Sequence, residues 1–165
     1  MPDKTKPTPQ ATSSSWASSA GVRRSMQSNR PRDTKPELRL RRATHRLGLR
    51  YRVSARPLPH LRRTADLLFT KAKIAVFVDG CYWHGCPQHH TVAKTNAKFW
   101  ADKVETNRRR DRETTALLEA EGWLVIRVWE HEPMEEAAVM LFNAWKNRRG
   151  SLDALEPPGQ GGAHR

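Results

Sequence analysis

Two groups of side chains in this sequence have the types and spacing to do chemistry. The first lies in DGCYWHGCPQHH, residues 79–90, where Cys81 and Cys86 are separated by four residues and His89 and His90 follow. His131 comes much later, directly after WLVIRVWE. Thiolate and imidazole are the preferred ligands of Zn²⁺, and four of them close a tetrahedral site. Cysteines and histidines of one loop joined to a distant histidine would pin that loop to a sheet edge, and such a metal would organise the fold. The spacing is not that of a common zinc finger. The competing reading is a pair of buried free thiols with surface histidines.

The second group is acidic. Asp66 lies in the strand-like TADLLF and Asp79 ends the apolar run KIAVFV. Adjacent strands would bring both carboxylates to one edge, with Glu37 within reach from a preceding helix. Carboxylates at strand ends are an oxygen cage for Mg²⁺, and such an ion neutralises charge on a phosphodiester and activates water. His84 has a side chain that titrates near neutrality and fits a general base. A carboxylate inside an apolar strand is costly unless paired, so an ion pair of Asp66 with Arg62 or Arg63 is the plainer alternative. Tyr82 and Trp83 are adjacent large aromatics in a polar loop, suited to wedging into a base stack. Alternatively, one ring covers the cysteine loop and the other packs on a helix.

The elements that must position these residues follow from periodicity. At DTKPEL, Thr34 is placed to cap a helix, Pro36 fits its first turn, and Glu37 sits in a capping-box position. Leu38, Arg42, Ala43 and Leu47 continue the helical period to Gly48. Strands are expected at 49–53, 64–69 and 73–78, the last two joined as a hairpin across Lys71-Ala72. A long helix is expected from about Asn96 to Glu121, with Phe99 or Trp100, Val104, Leu117 and Leu118 on its apolar side. A fourth strand covers 123–129 and a last helix runs from about Pro133 to Lys146. A strand, a long crossover helix and another strand imply a parallel pair. The expected fold is therefore α/β, a mixed central sheet flanked by helices.

The length of 165 residues suits one domain. Thirty Lys+Arg against seventeen Asp+Glu give a net charge of +13, which favours a polyanionic partner. Nine arginines and one acid lie between Glu37 and Arg63, and Arg39, Arg42, Arg62 and Arg63 are the candidates for phosphate contact. The longest apolar run, Ile74 to Val78, is too short to span a membrane. The N-terminus has no apolar signal segment, and a disulfide between the two cysteines is not expected. Residues 1–21 hold three prolines and five serines and read as a disordered extension. Residues 22–149 read as the folded unit and 150–165 as a disordered tail.

With these residues in view, the chain resembles the very short patch repair endonucleases, mismatch-directed DNA nicking enzymes. The matching stretches are Met26…DTKPE, FVDGCYWHGCP, KTNAKFWADKVETNRRRDRE and GWLVIRVWEHE, in order from about 24 to 132. The resemblance implies a restriction-endonuclease-like fold with a structural zinc loop. It also implies Mg²⁺-dependent cleavage 5′ to the thymine of a T·G mismatch, the product of 5-methylcytosine deamination. By position, Asp66 matches the principal metal-binding aspartate, Val78 a residue whose backbone carbonyl assists the metal, and His84 the histidine that activates water. Glu37 matches a helix glutamate near the active site. Tyr82 and Trp83 match the aromatic wedge, and Met26 a methionine entering from the other groove. Cys81, Cys86, His89 and His131 match the structural zinc positions, with His90 adjacent to the third. Asp79 stands where the best-known member has histidine, and Tyr82 where it has phenylalanine. The implied protein is a cytoplasmic, nucleoid-associated bacterial monomer acting on double-stranded DNA, with other repair proteins as candidate partners and no membrane contact.

Overall fold

The computed structural model of the chain describes residues 32–153. The extension at 1–21, Met26 and nearly all of the expected tail lie outside the described residues. The order of elements is α1 (Lys35–Arg46), β1 (Arg52–Ala55), β2 (Ala65–Phe69), β3 (Ile74–Asp79), α2 (Ala97–Ala120), β4 (Leu124–Trp129) and α3 (Met134–Asp153). The four strands lie in the order β1-β2-β3-β4; β1/β2 and β2/β3 are antiparallel and β3/β4 parallel. This is the mixed sheet with flanking helices that the periodicity implies.

Helix α1 begins at Thr34, whose backbone is extended, with Pro36 in the first turn. The capping interaction differs from the expected box. The Thr34 hydroxyl donates to Glu37 Oε1 (2.8 Å), and Glu37 Oε2 accepts from the Asp33 backbone N–H (2.9 Å). Both Glu37 oxygens are held by the chain before the helix, and Arg41 one turn on also donates to Oε2 (3.0 Å). Gly48 leaves the helix with φ +82°, a conformation that glycine adopts at no steric cost.

Three expectations shift. The first strand covers Arg52–Ala55 rather than 49–53: Leu49 is buried in the core, and the Tyr51 hydroxyl donates to the Arg41 carbonyl at 2.6 Å, so this stretch packs on α1 before pairing begins. Leu117 is exposed, and only Leu118 of that pair is buried. The last helix continues to Asp153, past both Lys146 and the expected domain boundary.

The sheet is covered on both faces. Leu67, Phe69, Ile74, Val76 and Val128 form one core with Leu40 of α1 and Leu141 of α3. Leu68 and Ala75 form the other with Leu118 of α2 and Trp123. Alternating strand side chains feed the two cores, as the pleat requires. The parallel register pairs Asp79 with Trp129, so β3 and β4 end side by side. The loop 80–96 and the turn at 130–133 therefore leave the sheet at the same edge.

Candidate active site

At this edge β2 and β3 part. Their pairing stops at Leu67↔Val76, and beyond it the Val78 backbone N–H donates to Asp66 Oδ2 at 2.7 Å. Asp66 thus stands in for a strand partner at the mouth of a cavity of about 270 Å³, which Arg62, Arg63, Val78, Asp79 and His84 also line. Burial pushes the Asp66 carboxyl up to about 6; the Val78 hydrogen bond opposes this, and the nearby Glu37 charge adds to it. The competing Arg62 or Arg63 ion pair does not form: Arg63 Nη1 donates to the Arg62 carbonyl, and no ion pair to Asp66 exists among the described residues. A half-buried carboxylate with a raised pKa and no cation of its own is a site that a divalent cation would satisfy.

The raised value has a stability consequence. An acid whose folded pKa lies above its unfolded one binds its proton more tightly when folded. Stability therefore falls as pH rises from about 3.8 towards 6. The cost above that window is on the order of 2–3 kcal/mol. Asp66→Asn is expected to stabilise the Mg²⁺-free protein at pH 7.5 but not near pH 4, measured by urea unfolding. Equal midpoints for the two proteins at pH 7.5 would refute the buried charge.

His84 is fixed from outside the loop. Its Nδ1 lies 2.6 Å from Asp111 Oδ2 on α2 and 3.6 Å from Asp79 Oδ1. Burial alone would raise the Asp111 pKa, but the His84 hydrogen bond and the Arg127 charge outweigh it and hold the carboxyl below the usual range. An ionised carboxylate only accepts, so Nδ1 carries the hydrogen and Nε2 is the basic nitrogen. Burial disfavours the charged imidazole, yet Asp111 and Asp79 together raise the His84 pKa above its ordinary value. Asp79 is buried, and both its oxygens accept from Arg127 Nη1 at 2.8 Å.

The loop carrying His84 is tied down along its length. The His84 N–H donates to the Gly80 carbonyl (3.1 Å), Asn107 Nδ2 to the Trp83 carbonyl (2.8 Å), and Arg108 Nε to the His84 carbonyl (3.2 Å). Gly85 has φ +64°, and a Cβ there would lie 2.7 Å from both Val104 Cγ1 and Arg108 Nη2, so only glycine fits.

The Cys/His group assembles beside this site. Ligand atoms of Cys81, Cys86, His89 and His131 all lie within 4.8 Å of one another. Cys81 Sγ is 3.1 Å and Cys86 Sγ 3.7 Å from His131 Nδ1; Cys86 Sγ is 3.8 Å from His89 Nδ1. A tetrahedron with the usual Zn–S and Zn–N bonds has S···N edges of about 3.5 Å. Burial pushes the Cys81 thiol up to about 11, and a divalent cation at the centre would favour its thiolate. The donors therefore fit a closed tetrahedral metal. His90 is not among them; its ring lies against Tyr82, with centroids 6.0 Å apart.

Tyr82 and Trp83 meet edge to face at 5.3 Å, and both contact Trp100 in the first turns of α2, at 5.6 and 5.7 Å. Both rings thus brace on the helix and remain half-buried. Of the basic stretch, Arg39 and Arg42 are exposed on α1 and Arg62 and Arg63 line the cavity. Arg41 is withdrawn into a buried pair with Glu37 and also pairs with the more exposed Asp33. Glu37 lies close enough to raise the Asp66 pKa, but its oxygens are spoken for by α1 and the residues before it.

Sequence reasoning missed Asp111, which looks like one more charge in NRRRDRE. A signal existed: Val104, Asn107, Asp111, Thr114 and Leu118 recur at alternating three- and four-residue spacing between two buried apolar residues. They form the stripe of α2 that faces the sheet and loop, so polar residues on it have inward partners.

Residues 18–94 match the family described as DNA mismatch endonuclease Vsr. The chain is 45% identical over 136 residues to the Type II nicking enzyme V.NaeI of Lentzea aerocolonigenes, covering 81% of this chain and 82% of the relative. It is 46% identical over 109 residues to the Type II nicking enzyme V.NmeDIP of Neisseria meningitidis serogroup C, covering 65% and 72%. It is 35% identical over 103 residues to the DNA mismatch endonuclease Vsr of Escherichia coli K12, covering 60% and 62%.

Proposed function

Because the chain belongs to the Vsr family of DNA endonucleases, we propose that it is a Mg²⁺-dependent enzyme of very short patch repair, nicking 5′ to the thymine of T·G mismatches. The observation that carries this reading is the convergence in one cavity of Asp66, arginines and a histidine whose basic nitrogen is fixed by Asp111. The sheet, on this reading, is of restriction-endonuclease-like architecture. The enzyme acts in the cytoplasm on the nucleoid, as a monomer, with other repair proteins as partners. None of the described helices is long and apolar enough to cross a membrane.

The residues divide the work as follows. Exposed Arg39 and Arg42, and Arg62 and Arg63 at the cavity, bind backbone phosphates without reading sequence. Tyr82 and Trp83, braced on Trp100, wedge into the duplex with Met26 from the opposite groove. A mismatched step unstacks more cheaply than a paired one, by part of the few kcal/mol that unstacking costs. Asp66 and the Val78 carbonyl would hold Mg²⁺, with Glu37 adding negative charge behind them and Asp79 held by Arg127. Such an ion would supply charge neutralisation at the phosphodiester. His84 Nε2 accepts a proton from water as the phosphorus is attacked, leaving a 5′-phosphate and a nick. Cys81, Cys86, His89 and His131 would hold Zn²⁺, fixing the wedge relative to His84 three residues from the first ligand.

Asp111→Asn tests the base. Losing the carboxylate that fixes Nδ1–H should lower the single-turnover rate by about 10²-fold. The imidazole must be neutral to accept a proton, and Asp111 raises its pKa; the acid limb of the pH–rate profile should therefore move to lower pH in the variant. A limb that stays in place would remove Asp111 from this role.

The relatives named Type II nicking enzymes carry no mismatch in their names, and the second reading is a related restriction- or defence-associated endonuclease that cuts without a mismatch requirement. A panel of mismatched duplexes with mapped cuts separates the two. Nicking confined to T·G, 5′ to the thymine, supports the first; equal cutting of T·G and C·G duplexes overturns it.

A further inference from the structure

Arg127 lies on β4, paired across the ladder with Phe77, and neither its position nor its type marks it in the sequence WLVIRVW. Its guanidinium joins three elements. Nη1 donates to both oxygens of Asp79 at the end of β3 (2.8 Å each), Nη2 donates to Asp111 Oδ1 on α2 (3.0 Å), and the group lies over the Phe77 ring at 5.0 Å. The remaining nitrogen, Nε, is buried with no partner. Three of its five N–H donors are thus committed to carboxylates, although the side chain lines the same cavity as Arg62 and Arg63. What it does hold is Asp111, whose other oxygen takes the His84 hydrogen bond.

We infer that Arg127 is a positioning residue for His84: its planar fork locks Asp79 and Asp111 in one plane of contacts, and through Asp111 it fixes the imidazole with Nδ1–H inward and Nε2 towards the attacking water. This rests on the hydrolytic reading of the cavity. The fork matters more than the charge. A guanidinium spans two carboxylates with directed donors, while an ammonium is a point charge on a flexible stem. Asp79, on this assignment, serves as the anchor of the fork.

The test uses the full-length, metal-replete chain. In Arg127→Lys the single-turnover nicking rate should fall about 10- to 100-fold, the range for residues that orient a reacting or ligating group, with duplex Kd unchanged within twofold. Free guanidinium ion should restore part of the rate to Arg127→Ala. The direct readout is the ¹⁵N spectrum of the His84 ring in histidine-labelled protein without DNA: a single Nδ1–H tautomer in the parent, a mixture in Arg127→Lys. Removing the arginine alone leaves Asp79 buried and unpaired, which threatens folding. The double variant Asp79→Asn/Arg127→Met removes both charges and should also show mixed tautomers. A parental tautomer in either variant, or a parental nicking rate in Arg127→Lys, overturns the assignment. If the parent nicks no duplex, the hydrolytic reading fails by itself, while the ring spectrum still decides whether Arg127 positions His84.

Discussion

Replacing Asp66 with alanine is expected to lower the single-turnover nicking rate by about 10³-fold or more, with duplex affinity nearly unchanged. A Lewis-acid cation contributes several kcal/mol to a charged transition state, and each 1.36 kcal/mol is tenfold in rate. Asp66 is the carboxylate at this edge with a raised pKa from burial and no ion pair, so on the proposed reading its removal takes away the side chain that would hold Mg²⁺. Two smaller effects act on stability and oppose each other. Deleting a buried charge relieves the folded state, while the Val78 N–H loses its acceptor, at a cost of about 1–3 kcal/mol. Neither touches Arg39, Arg42, Tyr82 or Trp83, the residues proposed to bind the duplex, which is why binding should survive. Rapid-quench nicking, gel-shift titration and thermal unfolding measure the three quantities separately. Full cutting by the folded variant would exclude Asp66 as the metal carboxylate. Lost binding together with lost cutting would make its role structural.

The second large effect is expected from the cysteine–histidine cluster. Chelation, or Cys86→Ser, should abolish duplex binding and nicking together. Cys86 is 1% exposed and Cys81 8%, and the loop they anchor carries Tyr82, Trp83 and His84. Structural zinc in small peptides contributes about 10–16 kcal/mol at neutral pH, as much as the net stability of a whole domain. Without it, two buried thiols and a loop of seventeen residues (80–96) between β3 and α2 are left to the bonds from Asn107, Arg108, Asp111 and Glu130 and to the ring contacts with Trp100. The strands and the cores they feed should persist, because no cluster residue belongs to either core. Near-UV circular dichroism should change while far-UV signal is largely kept. Elemental analysis of fresh, unchelated protein should give one zinc per chain. A stoichiometry near zero in active protein would exclude the cluster as a metal site.

Much of the architecture was legible locally. Thr34, Pro36 and Gly48 bound α1 because caps and turns act over three or four residues. The run at Ile74–Val78 reads as a buried central strand because both its faces are covered. The Cys81–His90 loop displays its donors in a row. Errors fell where a neighbour decides. Tyr51 satisfies α1 instead of starting a strand, and Leu117 loses to Leu118 for the inner face of α2.

By itself the sequence determined the elements, the donor types and a basic surface, since these depend on residue chemistry and on spacings of two to four positions. The tertiary structure alone decided which donors meet. Cys81 and His131 are 50 residues apart, Asp79 and Arg127 48, His84 and Asp111 27. Those contacts exist because β3 and β4 run parallel and end side by side, and because one stripe of α2 faces that edge. Strand order and helix rotation are set by burying apolar area over the whole domain, a sum that no local window of residues contains.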